Sequence, residues 1–161
     1  MSAPDPLAGL PARDVPPSEV SLSELLSDFV SVTHRITRLA AQATDNQESQ
    51  AVWRTLSVLL SMGPMRLGEL ASQSRVSQPT MTKIVKNLVE SGWLARIADP
   101  ADARAWQIQL TDVGAGALAT WRSELGDALT PIFADLAPED RRVLERAVEI
   151  MHERLVVGPR A

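Results

Sequence analysis

The sequence of 161 residues contains no cysteine, and this absence excludes several kinds of chemistry. Without thiols the chain forms no disulfide, holds no metal through thiolates and has no cysteine nucleophile or thiol redox sensor. The length is that of one ordinary domain, large enough to bury a core without covalent cross-links. A chain without disulfides is typical of the cytoplasm, and we expect the protein there.

Long apolar runs are missing as well. No stretch of about 18 or more apolar residues, the length that spans a bilayer, occurs in the chain. The N-terminus has no basic segment followed by an apolar one. We therefore expect neither a membrane span nor a signal peptide.

Enzyme features are equally scarce. There is no glycine-rich phosphate-binding loop, and His34 and His152 lie far apart, so no helical histidine pair is present to hold zinc. We expect no catalytic residue, no metal site and no cofactor. Each histidine is interpreted as a helix-surface or dimer-contact residue, and a pH-sensitive or effector-contacting role is the alternative.

The net charge of -4 is unusual for a nucleic-acid binder until it is resolved along the chain. Residues 65–98 carry five basic and two acidic side chains, a net charge of +3, which leaves -7 for the rest. Since surface fields depend on charges within about 10 Å at moderate salt, a basic patch on an acidic body can bind phosphate. An ordinary solvated helix face is the alternative interpretation.

The most informative pattern is a pair of short helices followed by two strands. Serine before Gln-Pro-Thr is a strong helix start, a glycine ends that helix, and the two strands alternate apolar and polar residues. Helix, turn, helix and hairpin in this order predict a winged helix, which places one helix in the DNA major groove and its loop in the minor groove. In order, the segments are 67–71, 77–92, 93–97 and 106–110, with the loop 99–104 between the strands.

The second of these helices is predicted to be amphipathic. Its buried side comprises Met81, Ile84, Val85, Leu88 and Val89. Its other side comprises Gln78, Thr80, Thr82, Lys83, Lys86 and Asn87. Glutamine can pair with adenine or phosphate, threonine can contact a thymine methyl group, and lysine neutralises phosphate, so this side is predicted to meet DNA.

The hairpin carries a second candidate contact. An arginine at the loop tip, Arg104, can enter a narrow minor groove, and Asp102 can hold its guanidinium group in place. An exposed ion pair of little energetic value is the alternative. Trp93 and Trp106 are interpreted as core and hairpin packing rather than as platforms for bases.

Segments outside this region predict a flexible arm and long apolar helices. Residues 1–19 are proline-rich and without apolar periodicity, which is typical of a flexible arm. Ser21 and Glu24 form a capping box before a long apolar stripe, and Thr111 is placed to cap a helix that continues to Phe133. Further helices are predicted at 49–61 and from Ala137 onward. Apolar faces at both ends of the chain would be covered by pairing with a second copy.

Taken together, these motifs resemble the MarR family of bacterial transcriptional regulators over about Leu22 to Leu155. The most specific parts are Ser77-Gln-Pro-Thr, Asp99-Pro-Ala-Asp-Ala-Arg104 and Leu110-Thr-Asp-Val-Gly114. In that family the wing aspartate is often followed by two arginines, whereas here Ala103 stands before Arg104. The family often caps the first short helix with Thr or Ser, and Arg66 stands in that place here.

The resemblance implies a mainly helical fold, in which a winged helix-turn-helix lobe is flanked by dimerisation helices. The expected domain covers 20–161, with the lobe at about 49–111 and the dimerisation helices at about 21–44 and 112–157. The implied function is that of a homodimer that represses a palindromic operator in double-stranded DNA, with half-sites about 34 Å apart. A small aromatic or anionic effector would release the DNA.

The candidate site residues fall into two groups. The predicted DNA-binding residues are Arg66, Arg75, Ser77, Gln78, Pro79, Thr80, Thr82, Lys83, Lys86, Asp102 and Arg104. The predicted walls of an effector cleft are Trp53, Met62 and Met65, with core packing as the alternative. A protein-binding scaffold that has lost DNA recognition is a second hypothesis, based on the acidic body and the shortened basic wing. A small enzyme is a third.

Overall fold

The computed structural model describes residues 20–44 and 48–155, apart from the side chain of Ala103. The predicted flexible arm, 1–19, lies outside the described residues. The chain divides into two compact units, Met1–Arg38 and Leu39–Ala161. The winged-helix segment lies entirely within the second unit.

Six α-helices and a small antiparallel sheet make up the described chain. In order, the elements are α1 (Leu22–Ala43), α2 (Gln50–Met62), β1 (Met65–Arg66), α3 (Leu67–Gln73), α4 (Gln78–Glu90), β2 (Leu94–Asp99), β3 (Asp102–Leu110), α5 (Asp112–Leu129) and α6 (Pro138–Arg154). A 3-10 turn, Thr130–Phe133, follows α5. The predicted fold class, mainly helical with a β-hairpin wing, is confirmed.

Side-chain caps fix the start of several helices as the sequence predicts. Before α1, the Glu24 carboxylate accepts the Ser21 backbone N–H, and the Ser21 hydroxyl accepts the Glu24 N–H. The Ser77 hydroxyl accepts the Thr80 N–H at α4, and Thr111 accepts the Gly114 N–H at α5. Each cap satisfies a backbone donor that has no partner within its helix.

The sheet has the strand order β1-β3-β2, with both pairs antiparallel. Met65 lies opposite Ile108 on β3, and Leu94 of β2 lies opposite Leu110. Because β1 has only two residues, the outer half of the β2–β3 hairpin has no third strand beside it. We call this hairpin the wing.

A single apolar core holds the second unit together. It is built from α2, α3, the inner side of α4, the sheet and α5, with Leu56, Leu70, Met81 and Leu118 completely buried. Burial of such side chains stabilises a fold by about 1.5–3 kcal/mol each. Packing of its inner side in the core therefore fixes the position of α4. The opposite side of the helix must then face away from the core.

Two predicted boundaries differ from the structure. The loop 99–104 is reduced to a turn at Pro100–Ala101, because the Asp99 carboxylate accepts the Ala101 N–H at 2.8 Å and strand pairing continues to Asp99 and Asp102. The helix predicted to reach Phe133 ends as an α-helix at Leu129. Pro131 accounts for this end, since proline lacks the donor that would continue the helix.

Candidate nucleic-acid interface

The helix α4 separates its buried and exposed side chains as its sequence predicts. Met81, Val85 and Leu88 are buried, and Ile84 and Val89 are half-buried. We call the exposed residues of the other side the outer face. These residues are Gln78, Pro79, Thr80, Thr82, Lys83, Lys86 and Asn87. Six of them have polar or cationic side chains, which suits contact with phosphates and base edges.

At the start of α4, hydroxyl groups form hydrogen bonds with other residues of the same helix turn. The Ser77 and Thr80 hydroxyls lie 2.8 Å apart, and Thr82 donates to the Gln78 carbonyl oxygen at 2.9 Å. All four residues remain exposed. The Gln78 amide lies beside α3, since a Cβ added to Gly68 would be 2.8 Å from Gln78 Nε2.

The turn between α3 and α4 carries an unusual backbone conformation at Arg75. This residue has a φ of 54°, in the left-handed region that non-glycine residues seldom adopt. The turn is held by backbone bonds from Arg75 to Ser72 and from Val76 to Ala71. Arg75 is exposed and has no ion-pair partner among the described residues. A cation thus stands immediately before α4.

Arg66 stands at the N-cap of α3, as the sequence predicts, but its side chain is bonded to the wing. Its Nε donates to the Asp99 carboxylate at 2.6 Å, while the rest of the side chain is about half exposed. A second guanidinium nitrogen lies 3.8 Å from Asp102. Arg66 precedes α3, whereas both aspartates belong to the wing, so this ion pair fastens the wing to the helix-turn-helix. The predicted phosphate contact of Arg66 stays a prediction.

Electrostatics favours the charged form of both partners in this pair. The Arg66 hydrogen bond, followed by the Ala101 backbone N–H, lowers the pKa of the Asp99 carboxyl from its usual value. The hydrogen bond to Asp99 likewise raises the pKa of the Arg66 guanidinium. The Asp99 side chain is almost fully buried. A buried carboxylate is costly unless it is paired, so the bond to Arg66 is needed at this position.

Asp102 does not hold the guanidinium of Arg104. Its carboxylate accepts the Arg104 backbone N–H at 3.0 Å and faces Arg66 instead. Arg104 is exposed, and no ion pair engages its side chain in the part of the chain that the structure describes. In the tightened turn Asp102 lies opposite Asp99, and the Arg66 guanidinium reaches both carboxylates. The predicted minor-groove role of Arg104 stays a prediction.

The remaining cationic side chains differ in whether they form an ion pair. Lys86 lies 3.9 Å from Glu90 one helical turn away, an exposed pair of small energetic value. Within the described ranges Lys83 has no such partner, and Arg96 on β2 has none either. Lys83 is therefore the cation of the outer face that is available to a phosphate without breaking another contact.

The interpretation of the hairpin tryptophans is confirmed for one and wrong for the other. Trp93 is half-buried and packs on the core. Trp106 is 62% exposed, although Ile108 on the same side of β3 is buried. Trp106 and Ile108 share one side of β3, as the alternation of the sequence predicts. The outer half of the wing, however, extends past the core and past β1. The Trp106 indole therefore has no apolar layer to cover it.

The three residues predicted to line an effector cleft differ in their exposure. Trp53 and Met65 are 5% and 4% exposed and belong to the core, whereas Met62 is 37% exposed. Trp53 does border a cavity of about 240 Å³ on the surface of the second unit. The other residues that line it are Trp93, Ala117, Thr120, Trp121 and Glu124.

This cavity is bordered by a cluster of tryptophans. The Trp53 and Trp121 rings are stacked, with centroids 4.7 Å apart and nearly parallel planes, and Trp93 is 5.7 Å from Trp53. The buried Trp53 Nε1 has no hydrogen-bond acceptor among the described residues. No local sequence pattern indicates this cluster, because its members are 28 or more residues apart and are brought together only by tertiary packing.

The described residues contain neither a cluster of metal ligands nor a helix suited to a membrane. No group of three or more histidine, aspartate or glutamate side chains is placed to hold a metal ion. No helix in 20–44 or 48–155 combines the length and the apolar content that crossing a bilayer requires.

An amphipathic second helix, a preceding tight turn and a following hairpin define a winged helix-turn-helix protein. Residues 49–106 match the model of the MarR family. The matched segment runs from the cap of α2 into the wing and includes the whole of α4. The resemblance to the MarR family of transcriptional regulators that the sequence predicts is confirmed over this segment.

Similar proteins extend this likeness beyond the matched segment. An HTH-type transcriptional regulator of Mycobacterium tuberculosis is 27% identical over 80% of this chain and 91% of its own. The HTH-type transcriptional repressor IacR of Pseudomonas putida is 25% identical over 64% of this chain and 62% of its own. The solved structure of the transcriptional regulator Tm0710 of Thermotoga maritima has the same fold, with a TM-score of 0.65 at 23% identity over 82% of this chain and 96% of its own.

Proposed function

We propose that this protein is a homodimeric transcriptional repressor that binds a palindromic operator in double-stranded DNA and dissociates from it when a small molecule binds. The observation that carries the proposal is the exposure of the whole outer face of α4 while the opposite side of the helix forms the core. The relative named a repressor supports the direction of regulation. In this proposal the protein acts in the cytoplasm.

In the outer face, some residues bind phosphates and position the protein on the DNA, and others read the base sequence. Lys83 neutralises a phosphate, with Arg75 adding a second cation at the entrance of the helix. The exposed amide of Gln78 reads a base edge, and Thr82 offers a methyl group and a hydroxyl. The base contacts distinguish one operator from another, and each contributes about 1–3 kcal/mol of discrimination.

A second copy of the chain covers the terminal helices in this proposal. In α1, Leu22, Leu25 and Phe29 are exposed, and so are Val143 and Leu144 in α6. Apolar side chains repeated along a helix are usually buried against a partner. A symmetric dimer would place two copies of α4 one DNA turn apart, which matches a palindromic operator.

The tryptophan-lined cavity is the proposed effector site. Its volume suits a single-ring compound, and its aromatic walls favour stacking. Glu124 is the charged side chain that lines it, so a neutral aromatic compound is favoured over an anionic one. An oxygen atom that reached Trp53 Nε1 would satisfy a donor that has no partner among the described residues.

Operator binding is tested by selecting genomic fragments on the purified full chain at low salt and footprinting the bound sites. Two protected half-sites about 34 Å apart are expected. Lys83→Ala should weaken binding to all fragments, while Arg142→Ala, which removes the same charge from an exposed position of α6, should not. Retention of no fragment at all would overturn the proposal and favour a winged-helix protein that binds another protein instead.

Effector binding is tested with matched pairs of single-ring carboxamides and carboxylates. Tryptophan fluorescence reports binding, and displacement of labelled operator reports release. The carboxamide should bind more tightly in each pair, and Glu124→Gln should remove that difference. Tighter binding of the carboxylates by the wild-type protein would contradict the assignment of this cavity.

A further inference from the structure

The exposed indole of Trp106 is the feature of the wing that the proposed function leaves unexplained. Of the four tryptophans, all of them described, Trp53 is buried, Trp93 and Trp121 are half-buried, and Trp106 alone is largely exposed. Tryptophan is a large apolar side chain that is enriched at interfaces, where a partner covers its ring.

The surroundings of Trp106 indicate the charge of that partner. Opposite Trp106 on β2 lies Ala98, whose small side chain leaves the indole uncovered. Arg96 lies opposite Ile108, the next residue of β3 on the same side of the sheet, and Arg104 precedes Trp106 by two residues. Both arginines are exposed, and the described chain offers neither an ion-pair partner. A polyanion therefore fits this surface, since it neutralises both cations while covering the ring.

We propose that Trp106 is a DNA-contacting residue of the wing, with its indole packed against deoxyribose and base edges of the minor groove between phosphates bound by Arg96 and Arg104. This inference rests on the proposed function and adds an apolar contact to it. Apolar side chains inserted into the minor groove favour steps that unstack easily. Trp106 thereby adds a preference for deformable sequence beside the half-site read by α4.

The test compares Trp106→Ala and Trp106→Phe with wild type on an operator selected from genomic fragments. Removing the ring should weaken operator binding about tenfold, while phenylalanine should retain most of it. Because the indole is uncharged, Trp106→Ala should leave the salt dependence of binding unchanged, whereas Arg104→Ala should reduce it. Leu60→Ala is the matched control, since Leu60 in α2 is an apolar side chain that is 51% exposed and lies outside the wing, and it should bind as wild type does.

Fluorescence quenching by acrylamide supplies a direct second readout. The difference between wild type and Trp106→Phe isolates the Trp106 signal, and operator binding should protect that signal from the quencher. Wild-type affinity in Trp106→Ala, or an unprotected Trp106 signal in the complex, would overturn the inference while leaving operator binding intact. A wild-type protein that binds no fragment would overturn the proposed function, and with it this inference.

Discussion

At the scale of single residues, Arg75 combines backbone strain with an exposed charge. Among the described residues it is the non-glycine residue with a positive φ. An L-residue in this region costs about 1–2 kcal/mol relative to the right-handed conformation. Glycine would avoid that cost, although it loses more conformational entropy on folding. Strain that persists beside a candidate binding surface is consistent with a functional role for the side chain.

Arg75→Gly should therefore weaken operator binding without lowering the stability of the fold. We expect the free energy of unfolding in urea to stay unchanged or to rise by up to about 1 kcal/mol, because the strain is relieved. Operator affinity should fall, because a cation is lost. Arg75→Lys keeps both the charge and the Cβ and should bind nearly as well as wild type. A marked loss of stability in Arg75→Gly would show that the side chain has a structural role.

The Asp99–Arg66 pair makes the wing sensitive to acid. Since folding lowers the pKa of Asp99, the folded state favours the ionised carboxylate. This contribution to stability is fully present above the ordinary carboxyl pKa of about 4 and is lost as the pH falls from there through the lowered pKa.

Asp99→Asn should accordingly be less stable than wild type at neutral pH and should show a weaker loss of stability on acidification. Urea unfolding at several pH values between neutrality and acid measures both effects. Arg66→Ala should show the same weakened acid response, because it removes the other half of the pair. Equal acid responses in wild type and both variants would contradict the role given to this contact.

At the scale of elements, the junction between the wing and α5 leaves no room for a side chain at Gly114. A Cβ added to Gly114 would lie 2.2 Å from the Trp93 carbonyl oxygen, whereas one added to Gly116 in the same helix meets nothing within 4 Å. Thr111 ties the same junction by donating its hydroxyl to the Gly92 and Trp93 carbonyl oxygens.

Substitution of these two glycines gives a matched pair. Gly114→Ala should destabilise the protein by about 1–3 kcal/mol or more, because backbone must move. Gly116→Ala should stabilise it by up to about 1 kcal/mol, because alanine favours the helix. Urea unfolding of the two variants checks the prediction, and equal effects would contradict the close approach.

The elements that sequence predicts well are those with local signals. The starts of α1, α4 and α5 follow from side-chain caps within three residues, and the apolar side of α4 follows from helical spacing. Distant contacts have no such signal. Arg66 and Asp99 are 33 residues apart, and the two residues of β1 are too few to show alternation. The exposure of Trp106 depends on where the core ends, which alternation alone does not indicate.

At the scale of the whole molecule, the proposed dimer rests on exposed apolar side chains in α1 and α6. Leu25→Asp in α1 and Leu144→Asp in α6 should each weaken dimerisation, because a charge buried in an apolar interface is costly. Light scattering should show a mass of twice 17.5 kDa for wild type and a lower mass for both variants. Leu60→Asp, an exposed position of α2 in the winged-helix lobe, should leave the mass unchanged. A monomeric wild type at micromolar concentration would contradict the proposal.

The central claim is that the outer face of α4 binds DNA phosphates, and the salt dependence of operator binding tests it most directly. Each lost phosphate contact lowers the slope of log affinity against log salt by about 0.9, hence by about 1.8 for the two copies of a dimer. We predict this decrease for Lys83→Ala and none for Arg142→Ala. A Lys83→Ala protein that binds the operator with the wild-type slope and affinity would contradict the account.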